Sequence, residues 1–407
     1  MNQFTIYTGW SFLRNYRVLL LLSLLCFSTS YGHPTGDTIN NGNRNYISGS
    51  YQVGKVLSTN PFVNGENRAG RPISYSQSFS LEFGKQTIGD KAWQQVYGYP
   101  RFGIGICIID FSYARETGVP VTLYGYFNGP FKRWKRTSLN FEIGMGLTSN
   151  WRRYKLDNNP WNVAIGSAIT AYVDLGTDFT LFLSNRLDLD IGLHFIHCSN
   201  GAVTLPNAGI NQYALRMAMR YNFSGQRPVF IRHEFGKFQK NWEWLAHIGW
   251  GPKQLNFDTL PGGYPDYTRR VNFSVVVLGS ELLYQVSNKV KFGVGLDVTF
   301  NEANYIQIER QGGKAVKQPV PVNRNIMLSS FGCVELVINR LSVAVKPGIY
   351  LVRTTTPWSA PVFYQQLGIK YHLFRSKNLF VGISLRAYYF RVADFIEWNL
   401  GYRIKWK

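Results

Sequence analysis

Residues 197–211 read His-Cys-Ser-Asn-Gly-Ala-Val-Thr-Leu-Pro-Asn-Ala-Gly-Ile-Asn. A neutral imidazole can accept the proton of a serine hydroxyl as the oxygen attacks an ester carbonyl, and a carboxamide N–H can hold the negative charge that develops there. These residue types therefore support nucleophilic ester hydrolysis, provided the chain brings them together. His197 and Ser199 are two apart, so on an extended segment they share a face and stand within hydrogen-bond reach. The alternative is a histidine and a serine that only cap a loop.

The flanking segments are built to position them. In 186–196, Leu187, Leu189, Ile191, Leu193 and Phe195 share one parity, and Arg186, Asp188, Asp190, Gly192 and His194 the other. In 212–221, Tyr213, Leu215, Met217, Met219 and Tyr221 oppose Gln212, Ala214, Arg216, Ala218 and Arg220. Each is a strand with one apolar and one polar face. If the extended geometry persists, His197 and Ser199 continue the apolar parity of the first strand and Asn211 begins that of the second. A triad-like set would then gather at one end of an apolar surface.

The composition says what that surface meets. Aromatic residues make up 16% of the 407 residues, Gly numbers 39, and charged residues are only 16%, against roughly 25% in ordinary soluble domains. Few charges, many aromatics and alternating strands predict an all-β transmembrane antiparallel barrel in the bacterial outer membrane, with a soluble β-sandwich array as the alternative. A net charge of +21 implies anionic partners. Nucleic acid is disfavoured, because residues 1–32 read as a signal peptide. Arg14 and Arg17 precede a short apolar run from Val18 to Phe27, and Ser30-Tyr31-Gly32 offers small residues for cleavage. Cys26 leaves with that segment. Cys107, Cys198 and Cys333 form no disulfide framework and no metal-ligand spacing, so no cofactor and no metal are expected.

Residues 33–76, rich in Asn, Gly and Ser, read as a loosely structured N-terminal segment, with the barrel over 77–407. Wall strands are predicted at 102–113, 120–127, 139–147, 170–183, 186–196, 212–223, 242–250, 271–285, 289–300, 327–338, 341–350, 362–374, 379–390 and 395–406. That is a single barrel of about 14 strands, with 12 to 16 acceptable. Phe79–Gly84 is taken as pre-barrel or plug structure, and 225–240 as a periplasmic excursion. Tight turns at Ser184-Asn185, Ser287-Asn288, Asn339-Arg340 and 375–377 alternate with long loops at 148–168, 197–211, 251–270 and 301–326, as in outer-membrane barrels.

The motif resembles that of the lipid A 3-O-deacylase (PagL-like) family of outer-membrane barrels, and more closely its longer acyloxyacyl hydrolase members of Bacteroidetes-type bacteria. The family pattern is H-x-S-N followed by P-N-x-G-I and a glutamate. His197, Ser199, Asn200, Pro206, Asn207, Gly209 and Ile210 all match it. The resemblance makes His197 the general base, Ser199 the nucleophile and Asn200 an oxyanion donor. The family's acid falls on Asn211, an amide that can still accept the imidazole N–H but carries no charge, as Asn does in Cys-His-Asn proteases. Glu234 and Glu281 are substitutes only under a different topology. The implied partner is lipopolysaccharide, through lipid A, within the outer membrane. Its acyl chain can lie against Leu193, Phe195 and Leu215, and Arg152, Arg153 and Lys155 beside Trp151 and Tyr154 suit a phosphorylated headgroup. An ordinary interfacial belt explains that loop equally well. The rival function is a non-catalytic transport or structural barrel, for which a wall of about 14 strands would enclose a lumen. Oligomeric state is left open.

Overall fold

The computed structural model describes residues 44–406 apart from 235, 237, 261–262, 264, 356–360, 374–377 and 391. The signal peptide expected over 1–32 and the turn at 375–377 lie outside the described residues.

The alternation seen in the sequence becomes two closed antiparallel barrels rather than one. The first contains β1 (Asn45–Val56), β2 (Tyr75–Gln86), β3 (Arg101–Asp110), β4 (Gly118–Arg133), β5 (Thr137–Trp151), β6 (Thr170–Phe182), β7 (Leu187–Ser199) and β8 (Ile210–Asn222), and closes through β1 on β8. The second contains β9 (Asn241–Asn256), β10 (Arg270–Gln285), β11 (Val290–Asn301), β14 (Ile326–Ile338), β15 (Leu341–Val352), β16 (Phe363–His372), β17 (Leu379–Tyr388) and β18 (Val392–Trp406), closed by β18 on β9. A small hairpin of β12 (Ile308–Gln311) and β13 (Lys314–Lys317) extends from one of its loops.

This corrects two expectations. The 14 predicted strands are all in a wall, but β1 and β2 join them, giving 8 strands to each closed barrel. Residues 45–56 are thus not loose, and Phe79–Gly84 is neither plug nor pre-barrel. In β1 the outward residues Ile47, Tyr51 and Val53 alternate with the buried Ser48, Ser50 and Gln52. Its small polar inner face hides the pattern in the sequence. The excursion at 225–240 connects the barrels at the end opposite the 197–211 loop.

An eight-stranded barrel is only wide enough for its own side chains, and here these are charged. Inside the first barrel Arg216 bridges Glu82 and Glu142, each at 2.6 Å, and Arg220 bridges Asp188 at 2.9 Å and Asp190 at 2.6 Å. His194 sits between Asp174 at 2.8 Å and Asp178 at 3.2 Å. In the second, Lys291 joins Glu243 at 2.7 Å to Glu335 at 3.0 Å, while Lys346 and Lys370 both meet Glu281. Beside Glu281 is a cavity of about 10 Å³, room for one water. Pairing offsets the cost of dehydrating these charges, and the outer walls are correspondingly apolar. The wide lumen that the transport reading required is absent from the described residues.

The barrels touch at both ends. Near the connection, Tyr97 Oη donates to the Val337 carbonyl at 2.7 Å and Lys289 Nζ lies 5.1 Å from the Tyr97 ring centre. At the far end the 200–209 loop of the first barrel rests against the second. The Leu205 N–H donates to Gln254 Oε1 at 3.0 Å, Arg270 donates to the Leu205 carbonyl, and Tyr154 meets Tyr267 edge-on at 5.4 Å.

Candidate active site

The pairing of β7 with β8 places the chemistry. Their register sets Leu193 opposite Leu215, Phe195 opposite Tyr213, and His197 opposite Asn211. All six point outward, since the intervening His194, Ile196, Ala214 and Gln212 are buried within the barrel. The apolar column on the outer wall therefore ends in His197 and Asn211. Directly beneath, the Phe195 and Tyr213 rings pack with centres 5.4 Å apart. Leu193 is 69% exposed and Leu215 is 57% exposed on the outer face of the wall.

The histidine bridges the other two polar groups. His197 Nδ1 is 2.6 Å from Asn211 Oδ1, and Nε2 is 2.8 Å from Ser199 Oγ. An amide oxygen can only accept, so Nδ1 carries the hydrogen and Nε2 presents a lone pair to the serine hydroxyl. This is the relay geometry of a hydrolytic triad, with an amide where an acid is usual. The structure thus brings together His197, Ser199 and Asn211. Ser199 is only 7% exposed, so its hydroxyl sits in a recess. Neither proposed substitute acid reaches it: Glu281 is inside the second barrel with two lysines, and Glu234 is in the connection at the opposite end.

Asn200 is held within the loop. Its Nδ2 donates to the Thr204 carbonyl at 2.7 Å, its Oδ1 accepts from the Thr204 N–H at 3.4 Å, and its own N–H donates to Asn207 Oδ1 at 2.8 Å. The two motif asparagines brace the loop. Two glycines make the close packing possible. Gly209, at φ +69°, lets the backbone pass the triad where a Cβ would come 3.3 Å from both His197 Cε1 and Ser199 Cβ. Gly201, at φ +62°, faces the outer wall of the second barrel, where a Cβ would fall 2.2 Å from Ile396 Cδ1.

Arg152, Arg153 and Lys155 are exposed at the same end. Their loop is joined to the 200–209 loop, because Ala208 N–H donates to the Val163 carbonyl at 3.1 Å and Gly209 N–H to that of Ala164 at 3.0 Å. Sequence reasoning missed the 57–74 loop. From it Asn60 Nδ2 donates to the Gly209 carbonyl at 2.8 Å, and Thr59 Oγ1 accepts from Asn211 Nδ2 at 3.3 Å. The signal available was slight: polar Thr59 and Asn60 lie just beyond an alternating Tyr51–Val53 stretch.

The fold defines an all-β protein of two closed antiparallel barrels. Residues 77–220 match the family model described as lipid A 3-O-deacylase (PagL), and residues 242–406 match the acyloxyacyl hydrolase C-terminal domain. Together the two matches cover nearly all of both barrels except β1 and the loop that follows it, and the chain belongs to the PagL-like acyloxyacyl hydrolase family. No curated protein matches it at a significant level. Among solved structures, Neisserial surface protein A is similar at 13% identity over 44% of this chain and 98% of that one, with a TM-score of 0.30. The siderophore receptor PirA from Pseudomonas aeruginosa is similar at 9% identity over 89% of this chain and 81% of that one, with a TM-score of 0.25.

Proposed function

We propose that the protein removes an ester-linked acyl chain from lipid A, with Ser199 as nucleophile and His197 as general base, on the lipid-facing side of the first barrel. The observation that carries this reading is His197 bridging Asn211 and Ser199 at the head of an outward apolar column. In the first step Ser199 Oγ bonds to the ester carbonyl carbon as His197 Nε2 takes the hydroxyl proton. The tetrahedral adduct then expels the sugar oxygen, which leaves with that proton from His197. Water, deprotonated in its turn by His197, releases the fatty acid and restores the serine.

The outer wall supplies orientation. An acyl chain lying along Phe195, Tyr213, Leu193 and Leu215 stays in the membrane while its ester reaches the recess, so the substrate need not be extracted. Arg152, Arg153 and Lys155 would meet the phosphorylated headgroup at the membrane surface. Asn211 keeps Nδ1 protonated but adds no charge to the imidazolium, so the reaction runs on orientation with less electrostatic help than an acid would give. The charge-filled interiors argue against the transport alternative.

A fluorophosphonate probe tests the nucleophile directly. Reacted with the detergent-solubilised protein, it should add its mass to the peptide containing Ser199 and leave the Ser199→Ala protein unmodified. Equal labelling of both proteins would remove Ser199 from the mechanism.

A further inference from the structure

An amide can do an acid's orienting work in only one of its two rotations. With Oδ1 toward His197, Asn211 keeps the hydrogen on Nδ1 and leaves Nε2 free to accept from Ser199. With Nδ2 toward His197, the hydrogen moves to Nε2, and the imidazole can no longer take the serine proton. A carboxylate has no such wrong side, because its two oxygens are equivalent acceptors. A chain with Asn at this place therefore needs something to hold the amide.

The far side of Asn211 meets Thr59. Asn211 Nδ2 donates to Thr59 Oγ1 at 3.3 Å, while that hydroxyl directs its own hydrogen to the Leu57 carbonyl at 3.4 Å. The threonine thus offers a lone pair, not a hydrogen, to the amide. Its backbone is tied to the site: the Leu57 N–H donates to the Asn211 carbonyl at 2.8 Å, and the neighbouring Asn60 holds the Gly209 carbonyl at 2.8 Å. The 57–74 loop is anchored to the very strand end that carries Asn211. Turning the amide over would set Oδ1 against the hydroxyl oxygen unless the hydroxyl gave up Leu57.

We infer that Thr59 is a positioning residue that fixes the orientation of the Asn211 amide and, through it, the tautomer of His197. The inference rests on the Ser–His reading above. It makes the first loop of the barrel part of the catalytic apparatus and explains how the site works without the family's acid.

The test is a double-mutant comparison with a direct readout. Thr59→Val keeps the shape of the side chain and removes the hydroxyl; Thr59→Ser restores it. Thr59→Val should lower kcat on lipid A by three- to tenfold with KM unchanged, and Thr59→Ser should recover most of the loss. In an Asn211→Asp background the same Thr59→Val change should cost less than twofold, because a carboxylate has no wrong side. Equal losses in both backgrounds would mean that Thr59 merely supports the loop, and would overturn the inference. Nitrogen-15 imidazole signals of His197 provide an arm independent of turnover. They should show a hydrogen on Nδ1 in the native protein and a mixture of tautomers in Thr59→Val. A single Nδ1–H tautomer in both proteins overturns the inference even if no ester is ever cleaved. Loss of all ester cleavage in the native protein would instead count against the hydrolase reading alone. Heat-modifiable migration on gels checks that each variant is folded.

Discussion

Replacing Asn211 by Asp converts a neutral hydrogen bond into a charge-assisted one without lengthening the side chain. The acceptor oxygen is already 2.6 Å from His197 Nδ1, so the shorter acid fits where glutamate would add a methylene to a closed contact. A neutral hydrogen bond contributes about 1 kcal/mol net, and one to a charged group about 1.5–3 kcal/mol. Part of that surplus is present before reaction; what raises kcat is the further attraction between the carboxylate and His197 as it becomes imidazolium in the transition state. Roughly 1.4 kcal/mol there is a tenfold gain in kcat. Asn211→Leu fills similar volume without an acceptor, leaves Nδ1–H unpaired and should lower kcat at least about tenfold. The assay is release of fatty acid from lipid A in mixed micelles, with kcat and KM determined separately for the three proteins. If Asp and Leu leave kcat within twofold of the native value, Asn211 is scaffold and the argument from its geometry is refuted.

Three further outcomes follow from other parts of the structure. Arg216→Ala strands Glu82 and Glu142 inside the first barrel and should cost about 3–5 kcal/mol, read as a large fall in the urea midpoint of unfolding in detergent. Gly201→Val forces a β-branched residue into φ +62° against Ile396, and should cost at least about 1–2 kcal/mol in the loop; kcat should fall while barrel migration on gels stays native. Arg152→Glu with Arg153→Glu should raise KM for phosphorylated lipid A about threefold per charge, as expected for exposed ion pairs, and leave KM for a dephosphorylated substrate unchanged.

Parity was the legible part of the sequence. Because side chains alternate along a strand, the run Leu187 to Ser199 already implied that His197 and Ser199 continue the outward face, and their meeting with Asn211 needed only the hairpin register. The division into two barrels was not legible. Closure depends on β8 reaching β1 and β18 reaching β9, pairings distant in sequence that leave no local trace. β1 escaped notice because its inner face is the small and polar Ser48, Ser50 and Gln52, and without β1 the Phe79–Gly84 stretch of β2 leaves an odd number of strands and reads as plug or pre-barrel structure. The loop bonds of Asn200 to Thr204 and Asn207 were not legible, because motif spacing says which residues are near, not which way a loop carboxamide turns. Thr59 was hidden for a related reason: it enters the site from a loop whose position only barrel closure determines.

The central claim is that this barrel deacylates lipid A through Ser199. It is tested most directly by mass spectrometry of lipid A from cells that carry the native gene, the Ser199→Ala allele or no gene, with equal amounts of both proteins in the outer membrane. The predicted result is a lipid A species lighter by one ester-linked acyl chain in the native strain alone. Identical lipid A spectra from all three strains, or the lighter species persisting with Ser199→Ala, would contradict it.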